Sequence, residues 1–217
     1  MLKLKMFLPI LLMLGQDAQA QKKDSNTVLP AFIASWQPIF SFTNILRLDF
    51  EVKPKNRYLN FIISPEIYSG NIYDRFSYKE MQSDKLNGVG IGLSHKIDLN
   101  LKKNRPYVSY GFMYRDLEIN YKGEGFMPYL QEGLQYYKYS PFSDKLNINS
   151  ILFNTCVGFQ AKYFDRFILD IYAGAGFKKS NKKSEYPALR NYDQEQFSYA
   201  YNGSLFLSGI KIGYLFN

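Results

Sequence analysis

The chain has a single cysteine, Cys156, and a single histidine, His95. One thiol cannot close an internal disulfide or build a cysteine-rich zinc site. One imidazole excludes a multi-histidine metal centre, and no cofactor is expected. Long apolar runs are missing too. Beyond residue 20, charged or polar residues interrupt every apolar stretch before the ~20 residues that a helix needs to span a bilayer. Any passage through a membrane therefore requires a closed barrel, because an open sheet edge would leave backbone groups unpaired in lipid. Linkers, internal repeats and low-complexity segments are also absent. The glycine runs 88–92 and 173–176 lack the following helix that a nucleotide-binding fingerprint requires, since the strand pattern continues past both.

Aromatic residues, in contrast, are abundant: 19 Tyr and 18 Phe in 217 residues. That level of tyrosine suits a molecule with many amphipathic interfacial positions. The N-terminus reads as a secretion signal. Lys3 and Lys5 precede a short apolar run over residues 6–14, and Ala18-Gln19-Ala20 is a small-x-small cleavage site. The expected organisation is a cleaved segment 1–20 and one domain over 21–217. With Gln21 first, the mature chain is not a lipoprotein.

The rest of the chain alternates with period two, the signature of strands. Leu46, Leu48, Phe50 and Val52 oppose Arg47, Asp49 and Glu51. Phe61, Ile63 and Ile67 oppose Asn60, Ser64 and Glu66. Val89, Ile91 and Leu93 oppose Gly88, Gly90, Gly92 and Ser94. Val108, Tyr110, Phe112 and Tyr114 oppose Ser109, Gly111, Met113 and Arg115. Ile151, Phe153, Val157 and Phe159 oppose Asn154, Cys156, Gly158 and Gln160. Phe167, Leu169, Ile171 and Ala173 oppose Arg166, Asp170, Tyr172 and Gly174. Phe206, Ile210, Ile212, Tyr214 and Phe216 oppose Gly209, Lys211 and Gly213.

Connections alternate between short (54–56, 101–104, 163–165) and long (69–85, 121–149, 178–201). In an antiparallel meander this places the short turns at one end and the long loops at the other, as in barrels with short periplasmic turns and long outer loops. The last strand then descends to a periplasmic C-terminus, and counting back requires one further upward strand. Residues 27–35, with Val28, Leu29, Phe32 and Ile33, are the candidate. Pro30 weakens the pattern but is tolerated near a strand end. The turn is expected near Trp36-Gln37-Pro38. The fold class is thus all-β: an eight-stranded antiparallel up-and-down transmembrane β-barrel.

A soluble lipocalin-type barrel also alternates, with its apolar face inside. The inverted arrangement is favoured by glycines crowding the polar face, where a narrow lumen of long side chains needs gaps. It is favoured as well by aromatics near strand ends and by the terminal Tyr214-Leu215-Phe216-Asn217. The segment 209–216, with Gly213, Tyr214 and Phe216, resembles the C-terminal signal that the outer-membrane barrel-assembly machinery recognises, with the departure that Asn217 follows the last aromatic. The chain from residue 27 on resembles the small OmpA/OmpX/OmpW-like barrels and the outer-membrane β-barrel domains of Bacteroidota. The resemblance implies residence in the cell outer membrane, among lipid and lipopolysaccharide. It transfers no functional residue.

The polar face carries Arg47, Asp49, Glu51, Glu66, Arg115, Arg166, Asp170 and Lys211. An eight-stranded lumen is just wide enough for side chains, and buried charges must pair, so a salt-bridged plug is expected in preference to a pore. Asp170 with Lys211 in the lower half, and Glu66 with Arg115 in the upper half, are the plausible pairs. Catalysis is not expected. A lipid A-modifying barrel needs a base and a nucleophile within reach of each other, whereas His95 is placed toward the periplasmic end and Ser94 faces the other way. Cys156 reads as a small lumenal packing residue. Asn202-Gly203-Ser204 reads as a turn before the last strand rather than as a glycosylation site.

Basic residues gather at the short turns (Lys53, Lys55, Arg57, Lys102, Lys103, Arg105) and in the last long loop (Lys178, Lys179, Lys182, Lys183, Arg190). They read either as solvated rims or as contacts to anionic head groups and lipopolysaccharide phosphates. A nucleic-acid partner is not expected. The segment 121–149 holds Phe126, Tyr129, Tyr136, Tyr137, Tyr139 and Phe142. It is either a binding surface or a hairpin whose aromatics pack on one another. The leading functional expectation is a barrel that binds a partner within an outer-membrane transport, secretion or assembly complex. A stand-alone structural or adhesive barrel is second, and a lipid A enzyme a distant third.

Overall fold

The computed structural model describes residues 31–41, 43–54, 59–72, 84–99, 104–163, 166–184, 192–193 and 196–216. Residues 1–20, which the sequence reads as a secretion signal, together with Val28 to Pro30, Lys55, Arg57, Lys102, Lys103, Arg190 and Asn217, lie outside the described residues. The elements are β1 (Ala31–Trp36), a short helix α1 (Pro38–Ser41), β2 (Ile45–Lys53), β3 (Leu59–Ile72), β4 (Asp84–Asp98), β5 (Asn104–Gln131), β6 (Leu134–Tyr163), β7 (Phe167–Lys183) and β8 (Gly203–Phe216). The strands hydrogen-bond in sequence order and β1 closes on β8. Closure leaves no open edge around the ring, as a lipid environment demands. The first strand is present, described over Ala31–Trp36 and so ending one residue past the expected 35, and the turn after it is helical.

All eight pairings are antiparallel, and their registers give the barrel its geometry. Starting from Phe206, successive partners are Ala175, Thr155, Tyr110, His95, Phe61, Val52 and Phe32, and the circuit returns to β8 at Phe216. The stagger around the ring is therefore 216 − 206 = 10 residues. With eight strands this stagger tilts them by about 40°.

The faces follow the alternation. Leu48, Phe61, Val89, Phe112, Phe153, Phe177, Ile210 and their outward neighbours remain exposed. They form an apolar belt that on β8 runs from Phe216 to Phe206. Those 10 residues of stagger correspond to a height of about 25 Å at this tilt. Asp49, Glu51, Glu66, Lys96 and Asp170 are buried inside. An apolar exterior around a charged interior is the reverse of a soluble lipocalin and is the arrangement of a membrane-spanning barrel.

Two long connections differ from expectation. The segment 121–149 contains no extended loop: β5 and β6 continue as a hairpin to a two-residue turn at Glu132 and Gly133. Both turn residues have positive φ, 52° and 80°, the geometry of the two-residue turns that match strand twist. Similarly, β7 extends through Lys183, so the lysines placed in the last loop belong to a strand. Period-two alternation weakens above the belt, where neither face is lipid, and this hid the strands from sequence.

Candidate functional site

In the lower and middle lumen, Arg47, Lys53, Lys96, Arg115 and Lys211 interleave with Asp49, Glu51, Glu66, Asp98 and Asp170, one carboxylate for each cation. In the upper tier, Arg115 donates to Glu66 through Nε at 2.9 Å and Nη2 at 3.3 Å, and Tyr68 donates to the same carboxylate at 2.6 Å. Arg47 bridges tiers, with Nε 3.0 Å from Asp49 and Nη1 3.5 Å from Glu66. In the middle tier, Asp49 also accepts from Lys211 at 2.5 Å and from Gln37 at 2.7 Å, and Tyr172 donates to Gln37 at 2.7 Å. In the lower tier, Lys96 lies 3.0 Å from Glu51 and 3.6 Å from Asp170. There Tyr107 donates to Asp170 at 2.6 Å. Lys53 donates to Gln160 at 2.6 Å and contacts Glu51 at 3.2 Å and Asp98 at 3.5 Å.

Glycines make room for these chains. Glu66, Gly90 and Arg115 are successive partners across β3, β4 and β5. A Cβ on Gly90 would sit 2.9 Å from Glu66 Oε2. Tyr107 lies over Gly158 and Tyr172 over Gly209, each within 3 Å of where a Cβ would stand.

Several sequence assignments need correction. Arg166 is not lumenal. It stands in the turn before β7, where it donates to the Tyr214 hydroxyl at 2.8 Å on the outer surface, because the strand register begins only at Phe167. Lys53 is not a rim residue. It falls in phase with Asp49 and Glu51 and points inward. Asp170 and Lys211 are register partners, but the lysine reaches across β1 to Asp49. The space is free because Ser35 and Gly213, the small residues in register with Asp49, lie in between. His95 is not near the periplasmic rim. It lies on the outer face, between Leu93 above and Ile97 and Leu99 below, all exposed. Ser94 and His95 face opposite sides of the wall, so they cannot act together. The sequence reading missed Lys96, Asp98, Gln37 and Tyr107. Lys96 and Asp98 sit in phase with the inward glycines of β4, a signal that extending the alternation four residues past Ser94 would have caught.

Above the charges the lumen becomes apolar. Ile45, Leu86, Leu117, Ile119, Leu146 and Ile148 are buried together. Tyr192, Tyr199 and Ala200 pack against this cluster at the mouth. Lys178, assigned by sequence to a loop, points inward and donates to the carbonyls of Ser198 at 3.1 Å and Tyr199 at 2.7 Å. Tyr192 bonds Asp84, and Lys182 pairs with Asp193 at 2.5 Å. Lys178 and Lys182 are therefore engaged within the barrel, and of that group Lys179 and Lys183 are exposed. Charge pairing thus occupies the lower lumen and apolar packing the upper.

From Tyr121 paired with Asp144 to Gln131 paired with Leu134, the β5–β6 hairpin stands above its neighbours, since β4 pairs with β5 only as far as Asn120. This arm projects roughly 35 Å along its strands. At its base Lys145 contacts Glu118 at 2.6 Å. Hydrogen bonds from Lys145 and Asn120 hold the Glu118 carboxyl below its usual value. Tyr129 and Tyr136 stack at 5.6 Å, and Phe126 meets Tyr139 edge-on at 5.4 Å. Gln135 donates to the Tyr137 hydroxyl at 3.2 Å. These rings pack in pairs yet stay open to solvent: Phe126 is 67% exposed, Tyr137 63% and Leu130 78%. Pro128 and Pro141 each remove a backbone donor from one strand of the arm. At the C-terminus, Gly213 faces the lumen, while Tyr214 and Phe216 face outward and Phe216 packs on Phe32 at 5.8 Å.

A closed eight-stranded ring, an apolar belt and a filled polar lumen define the chain as a small barrel of the outer-membrane type. Solved structures share that fold. A major outer membrane protein from Thermus thermophilus is 8% identical, with a TM-score of 0.50 over 86% of this chain and 98% of that one. The N-terminal β-barrel domain of Pseudomonas aeruginosa OprF is 11% identical, with a TM-score of 0.43 over 86% and 96% of the two chains. CarO of Acinetobacter baumannii is 13% identical, with a TM-score of 0.37 over 89% and 99%. No protein-family model and no curated protein sequence matches the chain.

Proposed function

We propose that this chain is a non-enzymatic outer-membrane barrel that serves as a partner-binding subunit, with the β5–β6 arm as its contact. The observation that carries this reading is the arm itself, a two-stranded ribbon whose aromatic side chains remain exposed. An isolated hairpin is marginal in water, and an exposed aromatic surface gains most by burial against a protein. The prolines on both strands discourage open-ended strand addition, which favours recognition through the faces of the ribbon. Tyr129, Tyr136, Tyr137 and Tyr139 are the proposed contacts. The packed lumen supports a role outside the barrel rather than transport through it.

The test is affinity purification from native outer membranes, comparing the whole chain with a variant in which residues 124–141 are replaced by a two-residue turn. A stoichiometric protein that is recovered with the whole chain and lost with the shortened one is the expected result. Recovery of the barrel alone in both cases would overturn the proposal in favour of a stand-alone structural or adhesive barrel.

A further inference from the structure

We propose that the outer face of β6 and β7, just above the apolar belt, is a binding site for the phosphorylated sugar head group of lipopolysaccharide. Phe177 marks the top of the belt on β7, exposed and in register with Phe153. The next outward residues of that strand are Lys179, Asn181 and Lys183, all exposed. Their register partners on β6 are Ile151, Asn149 and Asn147. A lysine thus stands directly over the apolar surface, amides follow on both strands, and a second lysine ends the column.

The column offers donors. The Tyr114 hydroxyl donates to Asn149 Oδ1 at 3.0 Å. The Ser180 backbone N–H donates to Asn202 Oδ1 at 2.5 Å, just above Gly203, the last partner of β7 on β8. With its oxygen occupied, each of these amides has N–H groups left to give. Among the described residues, Lys179 and Lys183 make no ion pair. Lys145, in contrast, is taken by Glu118 at 2.6 Å and Lys182 by Asp193 at 2.5 Å. On the outer face at this level, Asp116 and Glu118 stand on β5, with β6 between them and the two lysines.

Depth and charge together name the ligand. Two residues along a strand tilted by about 40° raise a side chain by about 5 Å. Lys179 therefore lies where hydrocarbon gives way to head groups, and Lys183 stands about 10 Å higher. Cations at that boundary attract anionic lipids, and an ammonium is a point charge suited to phosphate. A glycerophospholipid holds its phosphate at one depth, beside its acyl chains, and meets Lys179 alone. A column that climbs through amides to a second cation matches a taller head group, in which sugars carry the phosphates. The amides then donate to phosphate or sugar oxygens. This is the outer end of the barrel, opposite the short turns, and the phosphorylated glycolipid of that surface is lipopolysaccharide.

The experiment titrates the purified whole chain in detergent with lipid A bisphosphate, with its dephosphorylated form and with phosphatidylglycerol, and counts complexes by native mass spectrometry. Lipid A bisphosphate is expected to bind about tenfold more tightly than either of the others. Lys179→Gln combined with Lys183→Gln is expected to weaken that binding about thirtyfold. Lys138→Gln, which removes one positive charge from the arm, should leave it unchanged. A heat-modifiable band confirms that each variant is a folded barrel. Equal binding of phosphatidylglycerol, indifference to dephosphorylation, or a double variant that binds as the native chain does would each overturn the proposal. Removing the β5–β6 arm leaves this binding intact, so the outcome is independent of the arm's role.

Discussion

Arg115 grips Glu66 with two hydrogen bonds, at 2.9 and 3.3 Å, across a strand that puts only Gly90 between them. Removing Arg115 takes two of these bonds from the buried Glu66 and leaves it against Arg47 at 3.5 Å and the Tyr68 hydroxyl. Arg115→Leu is expected to destabilise the barrel by about 3–5 kcal/mol. The double variant Arg115→Leu with Glu66→Leu should recover most of that loss. Urea unfolding in lipid vesicles measures both, and equal losses in the single and double variants would refute the pairing.

Tyr107 reaches Asp170 only because Gly158 lies beneath its ring. Gly158→Leu forces the ring away and is expected to lower stability by about 1–3 kcal/mol. The temperature at which the folded gel band converts to the unfolded one should fall accordingly. An unchanged transition would show that the lumen is less tightly filled than the contacts imply.

The lumenal charges pair with one another and an apolar cluster stands above them, the arrangement of a plug rather than of a water-lined pore. Planar-bilayer recordings of the purified protein are expected to show no stable large conductance. A steady open channel under those conditions would contradict the plug.

The arm carries Lys122 and Lys138 at accessible positions on a ribbon with no other strand beside it among the described residues. Trypsin added to intact cells is expected to cut there while the barrel survives. Cleavage that requires disrupted cells would place the arm on the periplasmic side.

At the arm's tip, Glu132 adopts a φ of 52°, which a side chain such as Asn tolerates better. Glu132→Asn should slow hydrogen exchange of the tip amides, and Glu132→Pro, whose ring fixes φ near −65°, should speed it. If neither changes exchange, the two-residue turn is not what holds the ribbon.

Period-two alternation determined by itself which side chains share a face, because successive residues of a strand point to opposite sides, and the glycines of the polar face with the aromatics at strand ends told which face meets lipid. The parity of the connections placed the weak first strand, since an odd ring cannot be antiparallel throughout. Alternation is blind to height, however. Tertiary structure alone decided that Lys211 meets Asp49 rather than its register neighbour Asp170, that Lys53 joins the lumen while Arg166 stays at the rim, and that His95 sits within the apolar belt. The ten-residue stagger tilts every strand and so sets which rows share a level across the interior. That stagger is a property of the closed ring, written in no single strand.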